Sequence, residues 1–157
     1  AEARAKTEAV YKFFQEANLP PEVKQWSAER IFLDRAIIAV TENNCSEARN
    51  YANLYEQEIV KHENPLLMLA VTEVKSMIDL AEKKYDQVIS GLAQAPREDS
   101  SILYLLAKAY RGKGDLPEAQ KYYKQILTLN ELNSLEYAMI RHRVEKDLMQ
   151  IATPLTG

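Results

Sequence analysis

Glycine is scarce in this chain. Only Gly91, Gly112, Gly114 and Gly157 occur among 157 residues, too few and too scattered for a backbone loop that cradles phosphate. A single cysteine, Cys45, cannot form an internal disulfide, so cysteine usage leaves oxidising and reducing compartments both open. Its acidic neighbours Glu42 and Glu47 make a poor setting for a nucleophile. No apolar run approaches the ~18 residues that span a bilayer. The longest, IIAV at 37–40 with its flanks, is interrupted by Asp34, Arg35 and Glu42, so membrane insertion is not expected. A net charge of -3 provides no electrostatic footprint for nucleic acid. Histidine is limited to His62 and His142, neither with a His or Cys partner at ligand spacing, so neither metal nor cofactor is expected. Paired acids such as Glu56 and Glu58, or Glu98 and Asp99, read as solvated surface and offer no shielded carboxylate for acid–base work. These absences argue against an enzyme. The chain opens AEARAK, without an initiator methionine or an apolar signal segment, and so reads as a processed or trimmed product.

Strand alternation is also nearly missing, and helical periodicity is dense. Residues 2–17 arrange charged positions around Val10, Phe13 and Phe14. Pro20-Pro21-Glu22 opens a second helix carrying Trp26, Ile31, Phe32, Leu33, Ala36, Ile37 and Val40, with Pro tolerated in its first turn. Ser46 is placed to cap a third, striped by Ala48, Tyr51, Ala52, Tyr55 and Ile59. His62, at its end, is expected to interact with the helix dipole. Asn64-Pro65 is a start signal for a helix with two apolar stripes. One contains Val71, Val74 and Ile78, the other Leu66, Leu69, Met77 and Leu80. A short helix follows around Tyr85, Val88, Ile89 and Leu92.

The stretch from Ser100 to Asn133 is the most regular. Leu103, Leu106, Ala107 and Tyr110 recur at helical spacing, Gly112 to Asp115 break the pattern, and Ala119, Tyr123 and Ile126 resume it. Asp115 with Glu118 forms a capping box, and Asn133 with Glu136 repeats that spacing before a last helix. On that helix Leu135, Ala138, Met139 and Leu148 are expected to pack, leaving Arg141, Arg143, Glu145, Lys146 and Asp147 exposed. The tail ATPLTG is expected to fray. About eight helices result, none long enough to persist alone in water.

Small or compact residues at Ala9, Ala48, Val88 and Ala119 occupy matching places, spaced by 39, 40 and 31 residues. Together these features describe an all-α chain, an α-solenoid of antiparallel helix pairs within one domain, 1–157. Its units are approximately 29–62, 66–99 and 100–133, flanked by helices at 2–17 and 134–150.

The 100–133 unit resembles a tetratricopeptide hairpin, whose period is about 34 residues. It departs from that pattern at Glu131, where proline is usual, and the middle unit replaces the glycine-containing turn by Lys83-Lys84-Tyr85-Asp86. A generic α-helical bundle and another α-solenoid are the competing readings. From Asn64 onward, YDQVISGLAQA, SILYLLAKAYRGKGDLPEAQKYYKQI and NELNSLEYAMIRHRVEKDL are similar to the C-terminal part of a broad group of bacterial tetratricopeptide proteins. The resemblance implies a soluble scaffold or adaptor of the bacterial cytoplasm or periplasm, in a group whose members are often exported or joined to larger proteins.

In a stacked solenoid the first helix of each pair lines the inner side, and polar stripes not used for packing become binding surface. Arg30 and Asp34, with Thr41, form such a stripe in the first unit. Thr72, Ser76 and Asp79 do so in the second, and Tyr104, Lys108 and Arg111, with Ser101, in the third. The competing reading of all three is ordinary solvated surface. The expected function is non-catalytic binding of a partner protein or peptide on the concave face, with homo-oligomer formation left open. The alternative is a helical regulatory or accessory domain of a larger enzyme or transport and secretion system. A small-molecule site would need a cavity with convergent polar groups, which the sequence does not reveal. The carboxylate clamp of chaperone-binding tetratricopeptide domains is not carried over, because the first two units lack its basic and Asn residues.

Overall fold

The computed structural model describes residues 2–130 and 134–152, and those residues are all-helical, with no strand among them. Eight α-helices run in order: α1 Glu2–Glu16, α2 Pro21–Thr41, α3 Cys45–Ile59, α4 Pro65–Ala81, α5 Tyr85–Gly91, α6 Ser100–Lys113, α7 Leu116–Thr128 and α8 Leu135–Ala152. A short 3-10 turn, Val60–His62, extends α3. The all-α class and the helix count expected from the periodicity are both found. Glu131, the cap expected at Asn133 and the tail at 153–157 lie outside the described residues.

Local chemistry explains most helix ends. The Asn64 side chain accepts the Leu66 amide at 2.9 Å and Pro65 supplies the first helical φ, as the dipeptide suggested. Asp115 accepts the Glu118 amide at 3.2 Å. The Glu118 carboxylate, however, turns to Lys121 at 2.8 Å instead of closing the reciprocal half of the box. The cap of α3 is Asn44, not Ser46: its side chain accepts the Glu47 amide at 3.3 Å, so the helix starts two residues earlier. Gly112 is not a turn residue either, because α6 continues through Lys113.

Glu63 has φ of 49° directly before the N-cap of α4, and three other inter-helix turns share the same backbone device. Asn43, Lys83 and Gly114 have φ of 60, 60 and 84°, each directly before the N-cap of the next helix. After α2 the Asn44 amide reaches back to Ala39 O at 2.9 Å, and after α6 the Asp115 amide reaches Tyr110 O at 2.9 Å. These bonds satisfy carbonyls that a helix end leaves orphaned. Five residues past Asn43, Lys83 and Gly114 stand Ala48, Val88 and Ala119, all fully buried.

The chain divides into two compact units, Ala1–Glu82 and Lys83–Gly157, with the boundary inside the span 66–99. In the first, α2 and α3 pair closely because Ala36, Ala39, Ala48 and Ala52 let their backbones approach. Leu33, Tyr55, Ile59, Val71, Val74 and Ile78 fill the remaining core, the last three from α4. In the second, α6 pairs with α7, and Leu103, Ala107, Ala119, Tyr123 and Ile126 meet Tyr137, Ile140 and Val144 of α8.

The two terminal helices are rotated from the expected orientation. On α1, Phe14 is half-buried, but Val10 and Phe13 are 57% and 65% exposed. Ionic anchors set that rotation. Arg4 grips Glu42 and Glu47 at 2.6–2.8 Å, and Glu8 takes Arg35 through two bonds of 2.7 Å. On α8, Leu135 is 77% exposed, Met139 is also exposed, and the packing face is Tyr137, Ile140 and Val144. Three and four residues separate these positions, the spacing of a continuous helical stripe.

Candidate functional site

Positions 104, 108 and 111 fall on one face of α6 because helical neighbours recur at three and four residues. In the second unit this face meets α8 at Asp147. The Arg111 guanidinium donates to Asp147 Oδ1 at 2.6 Å and to Gln150 Oε1 at 2.7 Å. The hydroxyls of Tyr104 and Tyr123 donate to Asp147 Oδ2 at 3.3 and 3.0 Å. The sequence reading placed Asp147 on the exposed face, but it is only 9% exposed. It lies three residues beyond Val144, on the packing stripe, and three donors compensate its removal from water.

This arrangement keeps both phenols protonated. Burial, followed by the Asp147 charge, pushes the Tyr104 hydroxyl up to about 12. The same causes in the same order raise Tyr123 further. Tyr104 and Arg111 are therefore held in place from beneath. Lys108, between them, is half-buried and has no hydrogen-bond or ion-pair partner among the described residues. Arg143, exposed one turn before Asp147, likewise has none, and its charge reaches Tyr104. The charges of Arg111 and Arg143 thus reach Tyr104 beside the buried Asp147 carboxylate, and Lys108 shares the Tyr104 face of α6 one turn on. Ser101 belongs to the helix cap, its hydroxyl donating to Asp99 at 2.7 Å.

The stripes expected in the first unit are differently disposed. Arg30 and Asp34 come together with each other, at 3.0 Å across one turn of α2. Thr41 donates to Ile38 O at 2.7 Å. Thr72 donates to Met68 O at 3.1 Å, and Ser76 is buried. Asp79 is held by Arg49 of α3 at 3.2 Å, while Lys75 bridges to Glu56 of α3 at 2.6 Å. The polar stripe of α4 therefore serves in part to join α4 to α3.

A second feature of the first unit was missed from sequence. Glu29, only 7% exposed, borders an open cleft of about 270 Å³ between α1, α2 and α3. Tyr11, Gln25, Ala28, Ile31, Phe32, Arg35 and Glu58 complete its lining. Gln25 donates to Glu29 Oε1 at 3.0 Å, and His62 Nε2 lies 3.0 Å from Glu29 Oε2. His62 thus finds its partner on α2, in addition to its place at the end of α3. The available signal was positional: Glu29 precedes Leu33, Ala36 and Val40 at intervals of four, three and four residues, the stripe that α2 turns inward.

Chemically, both places hold charge. Among the described residues no cluster of three or more His, Cys, Asp or Glu is arranged to hold a metal ion. No helix among them is long and apolar enough to cross a membrane. No protein family, no curated protein and no solved structure matches the chain.

Proposed function

We propose that this chain is a non-catalytic protein-binding module of tetratricopeptide-like helical hairpins that receives an acidic segment of a partner protein on its inner helices. The observation that carries this reading is that Lys108, one turn from Tyr104 on α6, and Arg143, whose charge reaches Tyr104, have no hydrogen-bond or ion-pair partner among the described residues. Tyr104 offers a broad amphipathic contact, and its position is set in advance by Asp147, so little side-chain freedom is lost on binding. An acidic segment complements the charge of these two residues. The recurring turn at Asn43, Lys83 and Gly114 supports a repeated-hairpin origin for the scaffold.

The test is affinity capture with the wild-type chain and a Lys108→Glu/Arg143→Glu variant. These positions leave the Asp147 network intact, whereas changes at Tyr104 or Arg111 would disturb packing as well as binding. Charge reversal is expected to release the captured partner, and added salt is expected to weaken the wild-type complex. Capture that is indifferent to both reversals, with helix content and melting temperature preserved, defeats the reading.

A further inference from the structure

The cleft between α1, α2 and α3 has features that packing alone does not demand. Glu29 is almost wholly withdrawn from water, yet each carboxylate oxygen has one partner among the described residues, where an ionised carboxylate offers about four acceptor sites. Neither partner is a permanent cation: Gln25 contributes a neutral amide and His62 an imidazole. Burying a carboxylate under these terms is unfavourable unless a cation completes its shell. The only arginine lining the cleft, Arg35, is already committed. Its guanidinium is clamped by Glu8 through two 2.7 Å bonds and lies 5.6 Å from the centre of the Tyr51 ring. Glu58 adds a second carboxylate to the lining, paired among the described residues with the exposed Lys61 at 2.5 Å. Such a surface pair is weak and easily exchanged. Glu29 and Glu58 thus bring two carboxylates to a lining whose one guanidinium, that of Arg35, is already held by Glu8.

The walls match that charge. Phe32 and Tyr11 provide aromatic surface from α2 and α1, with Ile31 and Ala28 beside them. An aliphatic stem can lie against such surface while its cationic end reaches a carboxylate. A cleft of about 270 Å³ is small beside the ~300–1,000 Å³ of sites for larger ligands, and suits one chain-like group. We propose that this cleft binds an alkylammonium group, with the ammonium on the Glu29 carboxylate and the aliphatic stem along Phe32 and Tyr11. The same chemistry is carried by a free aliphatic amine and by a lysine side chain. The proposal is independent of the partner-binding reading, because its residues all belong to the first unit.

The experiment is a titration of the whole chain, followed by amide chemical shifts, with three probes: n-butylammonium, blocked lysine (N-acetyl-lysine N-methylamide) and neutral n-pentanol. Saturable shifts at Glu29, Phe32 and His62 are expected with the two cations and not with the alcohol. Tighter binding of n-butylammonium identifies a small-amine site, and equal or tighter binding of blocked lysine identifies a side-chain site; both support the proposal. Glu29→Gln is expected to weaken binding at least about ten-fold, the scale of one charge-assisted contact. Ala28→Leu, which fills the cleft without altering charge, is expected to do the same and carries the test should Glu29→Gln fail to fold. Lys124→Glu, on the exposed side of α7, should leave the titration unchanged. Absence of saturable shifts, equal shifts with n-pentanol, or full binding by a folded Glu29→Gln protein overturns the proposal.

Discussion

The ring of Tyr85 occupies the space where a side chain at residue 112 would begin. A Cβ built on Gly112 would lie 2.3 Å from two atoms of that ring. The glycine therefore serves close approach between α5 and α6, and its role is separate from that of Gly114. Gly112→Ala should destabilise the second unit by about 1–3 kcal/mol through overpacking, although alanine is by itself the better helix former. Adding Tyr85→Ala should recover part of the loss. Denaturant melts of the two single variants and the double variant provide the cycle, and strictly additive effects would contradict the contact.

Asp147 is expected to behave as a structural centre of the second unit. Asp147→Ala strands two tyrosine hydroxyls and a guanidinium, at a cost of roughly 2–4 kcal/mol. Urea unfolding would report it as a lower midpoint. A variant as stable as wild type would show that these donors are satisfied elsewhere.

The left-handed turns predict opposite effects at equivalent positions. Lys83 holds φ of 60° with a side chain, so Lys83→Gly should gain about 0.5–1 kcal/mol by relieving steric cost. At Gly114, φ of 84° makes Gly114→Ala unfavourable by about 1 kcal/mol, even though the space around it is open. Thermal melts of both variants suffice, and a shift in the same direction for both would refute the account.

Acid should loosen α1 before the α2–α3 core. Hydrogen bonds from Arg35 hold Glu8 below its ordinary 4.5, and those from Arg4 do the same for Glu42 and Glu47. A carboxylate depressed by folding stabilises the folded state fully above its unfolded value of about 4.5. That contribution disappears as pH falls through the depressed value. Hydrogen exchange during acidification below 4.5 should therefore show α1 losing protection first, and high salt should advance the loss. Simultaneous loss in α1 and α3 would be inconsistent with ionic docking.

Much of the helix layout was legible because its determinants are local. Asn64-Pro65 and Asp115 act on amides two and three residues away, and the αL position at Gly114 needs only its own φ. The candidate sites were less legible. The stripe Tyr104, Lys108 and Arg111 is a real face of α6, yet its support from Asp147 lies 36 to 43 residues further along the chain. Asp147 itself looked like surface because charge in a charged segment carries no mark of burial.

The amino-acid order alone determined an all-helical chain, the approximate bounds of eight helices and the buried residues that follow their turns. Periodicity and capping chemistry operate within a few residues, and there the code is direct. Only the tertiary structure decided how α1 and α8 rotate, which carboxylates go inside, and that His62 meets Glu29. Those outcomes depend on distant donors such as Arg4, Arg35 and Arg111, whose ability to compensate a buried or docked charge exists only once the helices have packed.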